Sequence, residues 1–329
     1  MAPTQHIQET ILSKQKIRLM FTDFWFPLTL ENIQSLFLYQ LLDEYYDIQL
    51  DDKSPDAVIY SCFGFEHLKY NCTRIYYTGE NKRPNFNRCD YAFSFDYPVN
   101  ERNFRLPVYR VYSIYQEVFQ ARKPDEVVAE NRKFCSFVNS NAKAKERIEL
   151  FDQLSKYKQV DSGGKVRNNV GGRVPDKIKF ISAYKFNIAF ENSSYPGYTT
   201  EKLMEALITN TIPIYWGDPK IGNDFNTKAF INVHDFESLD AVIEHIKKVD
   251  QDEALYRKYL SEPFLTENKE TEYCKEENIV KRFDEIFSSK ANYVSRFRKK
   301  IQLGLYYLIL AKHIIKKRNK PRVRSLLQF

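Results

Sequence analysis

The sequence predicts an α/β protein of two Rossmann-like units, each a mostly parallel sheet flanked by helices. Three observations carry this. Short apolar runs of strand length alternate with helical spacings along most of the chain. The alternation breaks over 105–131, where the chain turns irregular and then polar around Pro107 and Pro124. The 329 residues, 43% hydrophobic and 15% aromatic, suffice for two buried cores. Such a composition excludes global disorder, collagen and low-complexity classes.

In the first unit, 16–21 reads as a strand and 30–46 as a helix with apolar residues at helical spacing. Strands follow at 57–61, 74–78 and 91–95. The break near 125–131 divides an N-terminal unit, 1–128, from a second, 129–290. There 134–138 reads as a strand and 143–157 as a helix. Strands at 186–190, 211–216 and 229–233 alternate with helices at 200–209 and 239–248, and helical stretches near 252–260 and 275–289 close the unit. Ligands of such sheets bind beyond the carboxyl ends of the strands, so the loops after strands are where chemistry is sought.

The net charge of +7 is unevenly placed. Residues 291–329 hold eleven Lys and Arg and no acid, which leaves the rest of the chain at −4. The basic balance therefore belongs to a tail. Its helical stretch, 297–318, has Ile301, Leu305, Leu308, Ile309 and Ile315 as an apolar face flanked by Lys299, Lys300, Lys312, Lys316 and Lys317. An interfacial helix on anionic lipid fits this pattern. A docked helix with a basic end also fits it, while an acidic body disfavours nucleic acid. The five cysteines form no CxxC pair, which suits a reducing compartment. The start lacks the long apolar core of a signal peptide, and no stretch reaches the ~18 apolar residues of a spanning helix.

Only 10 glycines are present, and most of them sit in loops after strands. One such loop carries Thr78-Gly79-Glu80-Asn81. Glu80 there reads either as a general base or as a surface glutamate in a turn. A second loop, from Asp161 to Asn169, joins flexible backbone to Lys165 and Arg167. It reads either as a phosphate grip or as a solvated basic loop. The third is the richest. A buried strand ends at Glu191-Asn192, a polar loop follows, and a helix opens near Thr200 with Glu201 and Lys202 in its first turn. Lysine at a helix N-terminus opposes the dipole, which makes sense beside an anionic ligand. Asn192, Tyr198 and Glu201 suit the hydroxyls of a ribose or sugar. A plain capped helix is the alternative.

No GxGxxG, HExxH or GxSxG motif is present, and the five histidines lack metal-ligand spacing. Asp250-Gln251-Asp252 has the form of a DxD metal motif, but it lies between two helical stretches and reads as a solvated loop.

Together these segments resemble the α-1,3/4-fucosyltransferase family, especially its bacterial, Helicobacter-type members. The block FNIAFENSSYPGYTTEKLMEALITNTIPIYWG, 186–217, carries most weight. YYTGENKRPNFNRCDYAFSFD at 76–96, GGKVRNN at 163–169 and FNTKAFINVHDF at 225–236 support it in order and spacing. The resemblance implies a GT-B fold of two facing Rossmann-like domains with a cleft between them, the acceptor domain first and the GDP-fucose domain second. It implies transfer of fucose with inversion, with Glu80 as general base and Arg167, Asn192, Tyr198, Glu201 and Lys202 as donor contacts. The expected acceptor is the 3-hydroxyl of GlcNAc in an N-acetyllactosamine-type glycan, giving Lewis-type antigens on lipopolysaccharide or other surface glycans. An α-1,4-specific transferase or a non-catalytic nucleotide-sugar- or glycan-binding module on the same fold is the alternative. No cofactor is required where side-chain cations stabilise the departing GDP; a divalent metal remains an optional stimulant. The expected setting is the cytoplasmic face of a bacterial membrane, held peripherally by the basic tail, with no nucleic-acid partner. Three features depart from the family pattern: the absence of a heptad array before the tail, the basic pair Lys82-Arg83, and the stretch 193–196.

Overall fold

The structure, a computed structural model, describes residues 14–142, 144–289 and 293–318, with side chains to residue 312. The first sheet contains β1 (Lys16–Thr22), β2 (Asp47–Leu50), β3 (Ala57–Tyr60), β4 (Thr73–Tyr77), β5 (Tyr91–Ser94) and β6 (Asn103–Arg105). Its order is β2-β1-β3-β4-β5-β6, with β1 parallel to β2 and β3, and β3 parallel to β4. All four residues of β3 are buried, as a central parallel strand requires. The single helix expected over 30–46 is two, α1 (Leu30–Gln34) and α2 (Phe37–Tyr45), because the backbone turns extended at Leu36.

The second sheet is wholly parallel, in the order β11-β10-β9-β7-β8. It is built from α3 (Pro124–Ala129), β7 (Lys133–Phe137), α4 (Lys145–Leu154), β8 (Val160–Ser162), α5 (Lys177–Ser182), β9 (Tyr184–Phe190), α6 (Glu201–Ile208), β10 (Ile212–Trp216), β11 (Ile231–Asn232), α7 (Leu239–Gln251) and α8 (Glu253–Ser261). Neighbouring residues of one strand face opposite cores. Ile188 and Ile214 pack with Leu150, Val242 and Ile246, whereas Ala189 and Tyr215 pack with Leu203 and Leu207. Helix α9 (Glu276–Ser288) leads to α10 (Arg296–Arg318).

By contacts the chain divides into two compact units. One runs to Tyr77 and adds Pro84–Ala92 and the chain from Asp284 onward; the other comprises Thr78–Arg83 and Phe93–Phe283. These limits differ from the expected breaks at 128 and 290. Residues 93–128 join the second unit because Phe93 stacks on Phe283 with centroids 4.3 Å apart, and Tyr109 and Tyr115 belong to the core around Leu203.

The tail also differs from expectation, because its first turns are part of the first unit. Val294 N donates to Asp90 at 2.8 Å, and the Lys299 ammonium donates to the other Asp90 oxygen at 2.9 Å and to the Cys72 carbonyl at 2.8 Å. Lys299, expected on the charged flank, is 2% exposed. Gln302 bonds the buried Arg74 guanidinium, and Tyr306 bonds Glu66. Phe297, Ile301, Leu305 and Leu308 stay exposed on the opposite side of α10. No helix among the described residues is long and apolar enough to cross a membrane. Lys320, Arg322 and Arg324 lie outside the described residues, as do the side chains of Ile315, Lys316 and Lys317.

Candidate active site

The polar centre of the second unit forms where β9 hands over to α6. Glu191, the residue after β9, is fully buried. Its carboxylate accepts from Thr200 N at 2.7 Å, from the Thr200 hydroxyl at 2.8 and 2.9 Å, and from the Lys202 ammonium at 3.0 Å. An acceptor at the first free N–H of α6 satisfies an orphan donor and complements the helix dipole. Thr200 does not cap the helix with its side chain, because its hydroxyl serves Glu191. Lys202 also bonds the Thr200 hydroxyl at 2.7 Å and Glu201 at 3.2 Å. The anion that explains a lysine at this helix start is therefore internal.

Charge states follow from this packing. Burial works against the Lys202 ammonium, but Glu191 and Glu201 outweigh it and hold it above the usual lysine range. Burial likewise pushes Glu201 up, yet Lys202, Lys177 and the Tyr112 hydroxyl bring its carboxyl down to about 2. Tyr198 is 2% exposed and packs on Phe95 at 5.0 Å. Burial raises its hydroxyl pKa, and the negative charges of Glu191, Glu80 and Glu201 raise it further. Glu80 itself is exposed in the loop after β4, with its N–H donating to the Thr78 hydroxyl at 3.1 Å. It belongs to the same compact unit as Tyr198 and Lys202.

Sequence reasoning missed Arg147. It sits in the first turn of α4 and is fully buried, a costly place for a guanidinium. Its donors reach only neutral amides, Asn139 through Nη1 and Asn192 through Nη2 at 3.0 Å, while Nε finds no partner among the described residues. Burial lowers its pKa, and the nearby charge of Glu191 works the other way. Arg147, Leu150, Phe151 and Leu154 share the buried face of α4, so the available signal was an arginine on an apolar stripe. Arg167, by contrast, is exposed at φ 53° and pairs with Asp152 at 2.6 Å. The structure gathers Asn192, Tyr198, Glu201 and Lys202 around Glu191 and Arg147, and leaves Arg167 on the surface.

A cavity of about 340 Å³ opens at the carboxyl ends of β9 and β10. Phe190, Trp216, His234 and Phe236 line it, with Glu146 and Glu149 flanking Arg147 in sequence on α4. Two glycines are fixed by close packing around the polar centre. Gly197 has φ +84° with the Phe95 carbonyl where a Cβ would lie, and a Cβ on Gly217 would strike Glu191. Among the described residues no three His, Cys, Asp or Glu side chains converge as metal ligands. The Asp250-Gln251-Asp252 segment is not a solvated loop. Asp250, in the last turn of α7, has a nearly buried carboxylate bonded by Lys185 at 2.8 Å and by Lys158 and Tyr157, and Asp252 caps α8.

Comparison with known proteins gives the family of the chain. Residues 128–306 match the model of the glycosyltransferase family 10 (fucosyltransferase) C-terminal region, and 19–112 match that of the α-(1,3)-fucosyltransferase FucT N-terminal domain. The chain is 35% identical to α-(1,3)-fucosyltransferase FucT of Helicobacter pylori over 71% of its own length and 57% of that protein. It is 31% identical to mouse 4-galactosyl-N-acetylglucosaminide 3-α-L-fucosyltransferase 9 over 41% of its length and 38% of that protein. It therefore spans about half or less of these two relatives. A crystal structure of an α1,3-fucosyltransferase with GDP-fucose superposes with a TM-score of 0.74, at 29% identity, covering 89% of this chain and 96% of that one. The chain belongs to glycosyltransferase family 10, the fucosyltransferases.

Proposed function

We propose that the protein transfers L-fucose from GDP-fucose to the 3-hydroxyl of GlcNAc in an N-acetyllactosamine-type glycan, with inversion at the fucose C1. The carrying observation is the buried Arg147, held by amides alone beside the Glu191–Lys202 centre, its sequence neighbour Glu146 lining the aromatic cavity. A buried cation without a carboxylate partner suits a diphosphate, and a cavity walled by Trp216 and His234 suits a flat base. The mouse relative's name supplies the acceptor, and the bound donor of the solved relative supplies GDP-fucose.

In this reading Glu80 takes the proton of the acceptor hydroxyl as its oxygen attacks C1. The bond from C1 to the β-phosphate oxygen breaks and its electron pair leaves with GDP. Arg147 and Lys202 stabilise the charge that develops there, and Asn192 and Glu201 hold sugar or ribose hydroxyls. These cations do the electrostatic work, so the reaction proceeds without a required metal.

The outer face of α10 is assigned to an anionic membrane surface. Phe297, Ile301, Leu305 and Leu308 recur at helical spacing there, with Arg296 and Lys300 exposed beside them. With it we propose a cytoplasmic-face location on a bacterial membrane, where the enzyme would make surface glycans.

The test is product analysis. GDP-fucose and N-acetyllactosamine should yield free GDP and an α1,3-fucosylated trisaccharide of β-to-α inverted configuration. GDP binding with no transfer to this acceptor or to lacto-N-biose would favour a binding module, and an α1,4 product would correct the linkage.

A further inference from the structure

Two of the segments that depart from the family pattern meet in the second unit. Asn81 Nδ2 donates to Ser193 Oγ at 2.5 Å, across 112 positions of sequence. Arg83 Nη1 donates to Asn81 Oδ1 at 2.9 Å, and Arg83 Nε lies 2.7 Å from Asp96 Oδ1. The guanidinium carbon stands 3.3 Å from the centre of the Tyr195 ring and 4.6 Å from that of Phe95. Phe95 in turn meets Tyr195 edge-on at 6.1 Å and Tyr198 at 5.0 Å. The loop bearing Glu80 is thus tied to the loop that runs from Asn192 to Tyr198.

This tie matters because Glu80 has little else to hold it. Its side chain is exposed, and among the described residues no group bonds its carboxylate. Its position is set by the backbone of a six-residue segment, Thr78–Arg83, that contains Gly79. Thr78 anchors one side through the Glu80 N–H, and Asn81 with Arg83 anchors the other. A planar guanidinium can stack on a ring and keep a carboxylate and an amide at the same time, which lysine cannot.

We infer that Arg83 and Tyr195, with Asn81 and Ser193, form a clasp that positions the Glu80 carboxylate against the donor-side loop. They are positioning residues, not groups that touch the reacting atoms. The inference rests on the reading of Glu80 as the base. A base must stand within hydrogen-bond reach of its proton, and an error near 1 Å can cost about 100-fold.

The experiment measures kcat and both KM values with GDP-fucose and N-acetyllactosamine. Arg83→Gln and Tyr195→Ala should each lower kcat by roughly 10- to 100-fold and leave the GDP-fucose KM within about two-fold. Tyr195→Phe keeps the ring and should retain kcat. In a Glu80→Gln background, Arg83→Gln should cost nothing further, since it acts through Glu80. Full kcat in Arg83→Gln and Tyr195→Ala overturns the clasp, as does the same fold-loss recurring in the Glu80→Gln background. A fully active Glu80→Gln overturns the base reading instead, and it does so whatever the clasp variants show.

Discussion

The Lys202 ammonium stands 3.0 Å from the carboxylate of Glu191, a residue with no exposed surface. A charge buried that deeply persists only when paired and hydrogen-bonded, and Thr200 supplies the remaining bonds. Lys202 is therefore structural before it is functional. Lys202→Met should destabilise the protein by about 3–5 kcal/mol, the range for orphaning one member of a buried pair. Glu191→Gln combined with Lys202→Met removes both charges and should recover part of that loss. Denaturant midpoints of the single and double variants measure the difference.

Arg147 and Arg167 make opposite predictions. Arg147→Ala removes a buried donor and should weaken GDP binding by about 1.5–3 kcal/mol, the worth of a charged hydrogen bond. Arg167→Ala breaks only an exposed pair with Asp152 and should change affinity little. Calorimetric titration of GDP into both variants decides between them; equal losses would return Arg167 to the phosphate site.

Acid should unfold the protein partly through Glu201. Its folded carboxyl sits near 2, against the usual 4.5, so the unfolded state binds more protons between these values. The stabilisation is complete above about pH 4.5 and is lost as pH falls through 2. Glu201→Gln should flatten the fall in urea midpoint over that window, if measured from pH 6 downward.

The Lys299–Asp90 pair ties α10 to the first unit, both side chains 1% exposed. Truncation after residue 290 should lower the melting temperature and not merely release a tail. Membrane binding is therefore tested by substitution on the outer face. Ile301→Ser with Leu308→Ser should abolish sedimentation with anionic vesicles while the melting temperature holds. Retained sedimentation would move the lipid contact elsewhere.

Much of this architecture was legible in residue order. The apolar runs of β3 and β10 and the largely apolar run of β9 announced strands of a parallel sheet, and the FEN…TEK block marked the handover from β9 to α6. Weak patterns hid the rest. Edge strand β2, DIQL, alternates over only four partly exposed residues, and β8 has only three residues. The site was legible in position but not in wiring. Glu201 and Lys202 stood out at a helix start, yet the partner that explains Lys202 is Glu191, eleven residues earlier. Arg147 was hidden because one arginine on an apolar stripe looks like an ordinary helix end. The tail misled because charge was counted without contacts: Lys299 is basic in sequence but buried against Asp90 in space.

Chelation offers an independent check on the electrostatics. If Arg147 and Lys202 stabilise the departing GDP as proposed, fucosyl transfer should persist in excess EDTA at no less than about a tenth of its rate. A complete loss restored by a divalent cation would assign that charge to a metal.

The central claim is that Glu80 removes the acceptor proton, and Glu80→Gln tests it most directly. The variant keeps size and loop geometry but cannot accept the proton. Transfer from GDP-fucose to N-acetyllactosamine should fall by about 10²- to 10⁴-fold, while GDP-fucose affinity by titration stays within about two-fold. Transfer at the unaltered rate would contradict the account.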